Sequence, residues 1–318
     1  MRKNFFSCML AAGLLMLSSC GQNKKPAADW LHSDDVRIAI DETFRPIMQD
    51  EMDVYSKRYP EATMKPVFCS ENEAIRLLVK DSVRMALTTR PLNDNERSMI
   101  EHNLNLPIHQ KQIASDALAL IVNKSSRDTM ITVDEIRGIV TGKITKWEQL
   151  KHATRKGPLK LVFDNAGSST VRYMQDSICR GSKFQGNLYA QGNNLAVIEA
   201  VKNNPDIIGV VGANWLKDQR DTALASFDHL PFKVMWVSRF ADEGANYVQP
   251  FQYYIATGEY PLTRSVYITY TDPRTDSTTR TFFYFLSGQS GQLIICKSSQ
   301  MLPYMPVMVK DVSISEDE

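Results

Sequence analysis

From Val36 onward, short runs of aliphatic and β-branched residues alternate with segments whose apolar positions recur every three or four residues. That alternation predicts βα units built on a mostly parallel sheet, an α/β class. Residues 36–40 read as the first strand, and Met48, Met52, Tyr55 and Tyr59 follow at helical spacing. Residues 63–68 and 85–88 are further strands. Between them Ser70 or Glu71 opens a helix carrying Ala74, Leu77 and Leu78, and Asn93 or Asp94 caps another running towards His102. Residues 117–122 form a continuous apolar run, as in a strand covered on both faces. Thr132 then caps a helix with Asp134 and Glu135 in its first turn. Further on, 159–163, 207–211, 234–237 and 266–271 read as strands, and 169–178, 194–203, 282–286 and 292–297 as helices. The aromatic group Tyr247, Phe251, Tyr253 and Tyr254 reads as strand packing. No low-complexity linker divides the chain, so two lobes interleaved by crossovers are expected.

The first residues follow another pattern. Arg2 and Lys3 precede an apolar run over residues 5–17, followed by Ser18, Ser19, Cys20 and Gly21. A helix crossing about 30 Å of hydrocarbon needs a longer run, and these flanks suit a secretory leader. Residues 1–19 resemble a lipoprotein signal peptide, with Cys20 at the acylated position; an uncleaved anchor is the alternative. Residues 20–35 then read as a lipidated stalk holding a soluble body at the membrane. The expected place is the bacterial cell envelope, facing the periplasm, with membrane contact through the lipid alone.

Charge narrows the choice of partner. The 318 residues carry 37 Lys+Arg against 36 Asp+Glu, a net charge of +1, which leaves no footprint for nucleic acid or a polybasic membrane contact. With Cys8 in the leader and Cys20 under lipid, Cys69, Cys179 and Cys296 remain, too widely spaced for a Cys-x-x-Cys motif. They read as buried apolar thiols. The 5 histidines are scattered without ligand spacing, so neither metal nor cofactor is expected. Residues 138–144 fall one residue short of a phosphate loop and carry Ile144 where a hydroxyl is needed; residues 288–291 lack the last spacer of a Gly-x-Ser-x-Gly elbow. No nucleophile and base pair stands out, and the chain reads as non-enzymatic.

What remains is a pair of strand-to-helix turns rich in hydroxyls: Asp41, Glu42, Thr43 and Phe44 after the first strand, and Asn165, Ala166, Gly167, Ser168, Ser169 and Thr170 after the strand 159–163. Such turns present free N–H groups at the carboxyl ends of strands, where anions bind in open α/β sheets. Plain helix capping is the alternative for each hydroxyl. Arg90 follows the strand 85–88 and Arg172 sits a turn into the helix after Thr170, and guanidinium forks suit tetrahedral oxyanions; a solvated surface charge is the alternative for each.

Several stretches, taken in order, resemble one family. Thr-Thr-Arg-Pro-Leu at 88–92, Ser-Asp-Ala-Leu-Ala-Leu-Ile-Val-Asn at 115–123, Ile-Val-Thr-Gly-Lys-Ile-Thr-Lys-Trp at 139–147, Gly-Ser-Ser-Thr at 167–170, Ile-Ile-Gly-Val-Val-Gly at 207–212, Tyr-Pro-Leu-Thr-Arg at 260–264 and Phe-Leu-Ser-Gly-Gln-Ser-Gly-Gln at 285–292 resemble the periplasmic phosphate-binding proteins of ABC transporters. The resemblance implies a two-lobe type II periplasmic-binding fold, with lobe 1 over residues 36–114, lobe 2 over 115–235 and a return to lobe 1 over 236–318. It implies a monomer that captures phosphate or a related oxyanion and delivers it to ABC permease subunits. An envelope sensor with an altered or lost ligand is the alternative. Carried over, the first anion loop falls on Thr43 and Phe44, the second on Ser70, the Ser-Arg or Ser-Asp pair on Thr89 and Arg90, and the glycine and serine turn on Gly167, Ser168, Ser169 and Thr170. Asp116 matches an aspartate at the start of the crossover strand, with a hinge or helix-capping part and a ligand contact as alternatives, and Trp147 reads as packing. Two departures stand out. Glu42 brings an acid into the first loop, and Asp164 stands where the family often has an arginine. We expect Asp164 to accept the proton of a hydrogen phosphate, with Arg90 or Arg172 supplying positive charge.

Overall fold

The computed structural model describes residues 35–216, 226–242 and 245–308; the expected leader, Cys20 and nearly all of the stalk lie outside the described residues. β1 (Asp35–Asp41) pairs in parallel with β2 (Thr63–Cys69) on one side and β3 (Met85–Thr88) on the other. α1 (Arg45–Arg58) and α2 (Glu71–Val79) are the crossovers. α3 (Asp94–Ser98), closed by a capping box between Asn93 and Glu96, leads to β4 (His109–Asn123). β5 (Met130–Thr132), α4 (Val133–Val140), β6 (Lys160–Phe163), α5 (Ser169–Tyr173), β7 (Leu188–Ala190), α6 (Asn194–Asn203) and β8 (Ile207–Gly212) follow. β9 (Phe232–Val234), β10 (Trp236–Ser238), α7 (Gln252–Ala256), β11 (Thr263–Tyr270), α8 (Thr278–Ser287), α9 (Gln289–Ser298) and β12 (Leu302–Pro303) complete the chain.

One mixed sheet runs β2-β1-β3-β11-β4-β8-β6-β7. Its pivot is β4. The residues from His109 to Ala117 pair antiparallel with β11, and those from Leu118 to Val122 pair antiparallel with β8. Each half serves its own core. Ile113 and Ala114 pack with Val36, Ile40, Phe44, Met48, Val266, Phe282 and Leu286, whereas Ala117, Leu118 and Leu120 pack with Ile136, Trp147, Leu161, Val210, Tyr260 and Leu262. The chain therefore passes between the two cores on two adjacent strands, near Ser115–Ala117 of β4 and Thr263–Ser265 of β11. This is the two-lobe α/β arrangement, and the apolar run at 117–122 is buried throughout, as its composition requires.

Three local readings change. The expected strand 234–237 divides at Met235: its N–H donates to the Leu120 carbonyl while the next N–H donates to Thr129, so β9 pairs β4 and β10 pairs β5. Tyr253 and Tyr254 lie on α7, not on a strand, because the Gln252 amide donates to the carbonyls of Cys296, Ser299 and Met301 and anchors that turn. The helix expected over 169–178 is α-helical to Tyr173 and continues as a π turn from Met174 to Ile178. Val237, Val248, Ile255, Tyr260 and Leu262 still pack in the second core, so the chain rejoins the first core at β11. Of the three thiols, Cys179 is buried while Cys69 and Cys296 are partly exposed, and none is in a disulfide.

Behind the loop that follows β1, a cavity of about 10 Å³ is lined by Phe44, Ile47, Met48, Leu87, Ile113, Val266, Leu286 and Glu51. Glu51 is 1% exposed and neither carboxyl oxygen has a hydrogen-bond partner. Burial, reinforced by Asp50, pushes its pKa well above 4.5, so the group is neutral in the fold. A carboxyl whose folded pKa is raised contributes its full share of stability below the unfolded value and loses it as pH rises towards the folded value. The loss runs at up to about 1.4 kcal/mol per pH unit. We expect Glu51→Met, which matches the apolar lining, to flatten the fall in thermal stability as pH rises above about 4.5. Parallel wild-type and variant melting curves across that range would contradict this account of Glu51.

Candidate functional site

The two hydroxyl-rich turns meet at the boundary between the two cores. After β1, Asp41 accepts the Thr43 N–H at 3.0 Å, which fixes the turn. The second lobe pins it from the other side: Asn214 Nδ2 and Trp215 Nε1 donate to the Thr43 carbonyl at 2.9 and 2.7 Å. The Thr43 hydroxyl donates to Asp164 at 3.4 Å, joining the first turn to the end of β6. Across the boundary, Ser168 caps α5 by accepting the Val171 N–H at 3.2 Å. Ser169 Oγ accepts from Arg264 at 2.8 Å, and the Thr170 hydroxyl is buried with no partner. Two glycines allow this approach. A Cβ on Gly167 would stand 3.3 Å from Ser70 Oγ, and one on Gly212 would stand 2.7 Å from the Thr43 methyl. Asn72 N–H also donates to the Gly167 carbonyl, at 3.4 Å.

Charge in this region is unbalanced. Asp41, Glu42, Glu71, Asp116 and Asp164 are all buried, against Arg264 and the partly buried Arg172. Arg264, on β11, sits opposite Asp116 in the β4–β11 register and donates Nε and Nη2 to its Oδ2 at 3.0 and 2.9 Å. Its guanidinium also lies 5.3 Å over the ring of Phe44, a residue of the first core. Burial raises the Asp116 pKa, with Arg264 opposing. Asp41 is pushed up to about 6, first by burial and then by the charges of Glu71 and Asp164. Burial also raises Asp164, with Glu42 adding to it and the Ser168 hydroxyl and Asn165 N–H opposing. Glu71 goes the other way: burial would raise it, but Arg172 and Thr89 together hold it below the usual range.

The residues expected from the sequence divide in two. Thr43, Phe44, Ser70, Asp164, Gly167, Ser168, Ser169 and Thr170 converge here. Glu42, the acid in the first loop, is held by the first residue of α6: Asn194 donates from Nδ2 at 2.6 Å and from N–H at 3.1 Å. Arg90 is engaged elsewhere. It forms a two-pronged pair with Glu96 at 2.7 and 2.8 Å and donates to the Pro91 carbonyl, because Glu96 is already fixed by the α3 capping box. Arg172 reaches the boundary but is bound to Glu71, Thr89 and Asp176. Sequence reasoning passed over Arg264, Glu71, Asn194 and Asn214 as site residues. Arg264 closes the quoted stretch 260–264, which was the only signal for it. Among the described residues no group of three or more His, Cys, Asp or Glu could hold a metal ion.

The family model described as a PBP superfamily domain matches residues 26–289. The chain is 22% identical to the phosphate-binding protein PstS of Pseudomonas aeruginosa over 276 residues, 82% of this chain and 80% of that protein. It is 22% identical to the PstS of Bacillus subtilis over 333 aligned positions, 100% of this chain and 98% of that one. An ABC-type phosphate transport receptor from Vibrio cholerae matches with a TM-score of 0.59 at 21% identity, over 85% of this chain and 100% of the other.

Breaking a buried pair from one side leaves an uncompensated charge, at a cost of about 3–5 kcal/mol. We expect Arg264→Met to lose stability on that scale in chemical denaturation, and Asp116→Asn combined with Arg264→Met to recover a large part of it. Additive losses in the double variant would show that the two side chains do not act as a pair.

Proposed function

Because the chain belongs to the PBP superfamily, we propose that it is a solute-binding protein that takes up phosphate or a similar oxyanion between its two lobes. The observation that carries this reading is the meeting of the two strand-to-helix turns: the Thr43 hydroxyl reaches Asp164, Arg264 lies over Phe44 and donates to Ser169, and the Thr170 hydroxyl is buried beside Ser169 with no partner. A buried hydroxyl without a partner costs about 1–3 kcal/mol, which a bound anion offsets. Ser169 and Thr170 supply hydroxyls, Arg264 supplies the cation that Asp164 replaces at its own position, and Thr43 closes the site from the first lobe. The names of the relatives from Pseudomonas aeruginosa and Bacillus subtilis support phosphate as the ligand.

Acids around such a site select for protonation state. A carboxylate repels a fully deprotonated oxyanion but accepts a hydrogen bond from one that keeps a proton, as hydrogen phosphate does and sulfate does not. Asp164, which already accepts from Thr43, takes that part. Asp41 loses its charge as pH falls through about 6, so repulsion weakens and binding tightens on the acid side. The same excess of buried acid favours a second reading, an envelope sensor whose ligand differs from that of the transport receptors. In the leading reading the protein is a monomer held by lipid at Cys20 that hands its ligand to an ABC permease; among the described residues no helix is long and apolar enough to cross a membrane.

Calorimetric titration with phosphate, sulfate and molybdate tests this directly. We expect saturable one-to-one phosphate binding. Thr170→Ala should weaken it about tenfold or more, the scale of a hydrogen bond to a charged group. Asp164→Asn should erode the preference for phosphate over sulfate. No heat with any of the three anions would overturn the oxyanion reading, and an unchanged preference in Asp164→Asn would overturn the role given to that residue.

A further inference from the structure

Glu71 is the first residue of α2, which packs on the first lobe, and Arg172 lies on α5, whose Val171 packs in the second core. Their contact crosses the boundary. Glu71 Oε2 accepts Arg172 Nε at 2.5 Å; Oε1 accepts the Thr89 N–H at 2.6 Å, the Thr89 hydroxyl at 2.8 Å and Arg172 Nη2 at 3.4 Å. The Thr89 hydroxyl in turn accepts from Arg172 Nη2 at 2.6 Å, which orients its proton towards the carboxylate. A guanidinium fork, a backbone amide and a hydroxyl therefore converge on one carboxylate that is 0% exposed. That is the donor set of an oxyanion site, and its occupant is a side chain of the protein itself.

The neighbourhood makes this occupant costly unless it is held. Asp41 from β1 faces Glu71 closely enough for the two charges to raise the Asp41 pKa, and Asp176 shares Arg172 from the π turn beyond α5. Glu71 remains ionised because Arg172 and Thr89 outweigh burial. If the carboxylate moved aside, Arg172 and the Thr89 N–H would lose their shared acceptor at a boundary where Ser70 and Asn72 of the first lobe already approach Gly167 of the second.

Resting on the oxyanion reading above, we propose that Glu71 is an internal anion of the cleft: it latches the lobes by holding Arg172 and Thr89, and it competes with an external oxyanion for those donors. A side chain that merely positioned Arg172 for the ligand would act in the opposite sense, because its loss would weaken binding. Neutralising Glu71 should therefore tighten binding and loosen the contact between the lobes. An internal competitor that leaves a tenth of the molecules competent lowers apparent affinity about tenfold, which sets the expected scale.

The test uses the purified protein, Glu71→Gln, which keeps the side-chain shape, and Arg172→Gln, which breaks the same contact from its more exposed side. Small-angle scattering without added anion reads the latch. We expect both variants to show a larger radius of gyration than wild type; unchanged scattering in both would overturn the latch. Titration with inorganic phosphate reads the competition. We expect Glu71→Gln to bind about tenfold tighter and Arg172→Gln to bind more weakly than wild type. Equal or weaker binding by Glu71→Gln, with wild type binding phosphate, would overturn the competitor role while leaving the oxyanion reading intact. Opening of the lobes with no phosphate binding in any variant would uphold the latch, overturn the competitor role and refute the oxyanion reading. Should Glu71→Gln fail to fold, Arg172→Gln carries the latch test, and Glu71→Asp, shortened by one methylene, carries the competition with the same expected sign.

Discussion

Asp116 and Arg264 face each other where β4 and β11 run side by side between the two cores, and the site is organised around that contact. Both side chains are almost wholly withdrawn from water, so each is tolerable only in the presence of the other. The pair lies at the point where the chain leaves one core for the other, with Leu262 and Leu118 on one side and Ala114 and Val266 on the other. It then does a second task. The remaining guanidinium nitrogen donates to Ser169, and its face covers Phe44, so the strand that joins the lobes also touches both hydroxyl-rich turns. In this arrangement the crossing between the two cores and the candidate site share one cation.

A site with five buried carboxylates and two guanidiniums is an unusual place for an anion, and the hydrogen bonds explain how it holds together. Glu42 is taken by Asn194, Glu71 by Arg172 and Thr89, and Asp116 by Arg264. Asp41 and Asp164 accept from the uncharged donors of Thr43, and both have their pKa raised, chiefly by burial. In the proposed reading these two residues make the site responsive to protons: neutralising Asp41 removes a charge that opposes an oxyanion, and neutralising Asp164 removes the acceptor for the ligand's proton. On the same reading Asp164, an acid where the family resemblance leads one to expect an arginine, changes which protonation state the cleft prefers.

The fold was largely legible because its signals are local. Residues 117–122 are apolar without a break since β4 is covered on both faces, and Thr132 with Glu135 forms the capping box that their spacing announced. Thr43, Gly167 and Ser168 were legible as turn chemistry for the same reason. The side chains that balance charge were not. Asp116 and Arg264 are 148 residues apart, and Glu71 and Arg172 are 101 apart, so no spacing rule connects them. Arg90 shows the converse. Its place after β3 suggested a ligand contact, but the local capping box of α3 presented Glu96 six residues away and captured it. At 234–237 a run of apolar residues hid a change of partner, because backbone pairing with Leu120 and Thr129 is invisible in side-chain pattern.

The central claim is that an oxyanion sits between the two turns and touches Arg264. The most direct test is a crystal structure of the protein grown with phosphate. The account predicts a tetrahedral anion within hydrogen-bonding reach of the Thr43, Ser169 and Thr170 hydroxyls and of Arg264, with Asp164 against one of its oxygens. Phosphate bound elsewhere, or a cleft that stays filled by its own side chains at saturating phosphate, would contradict it.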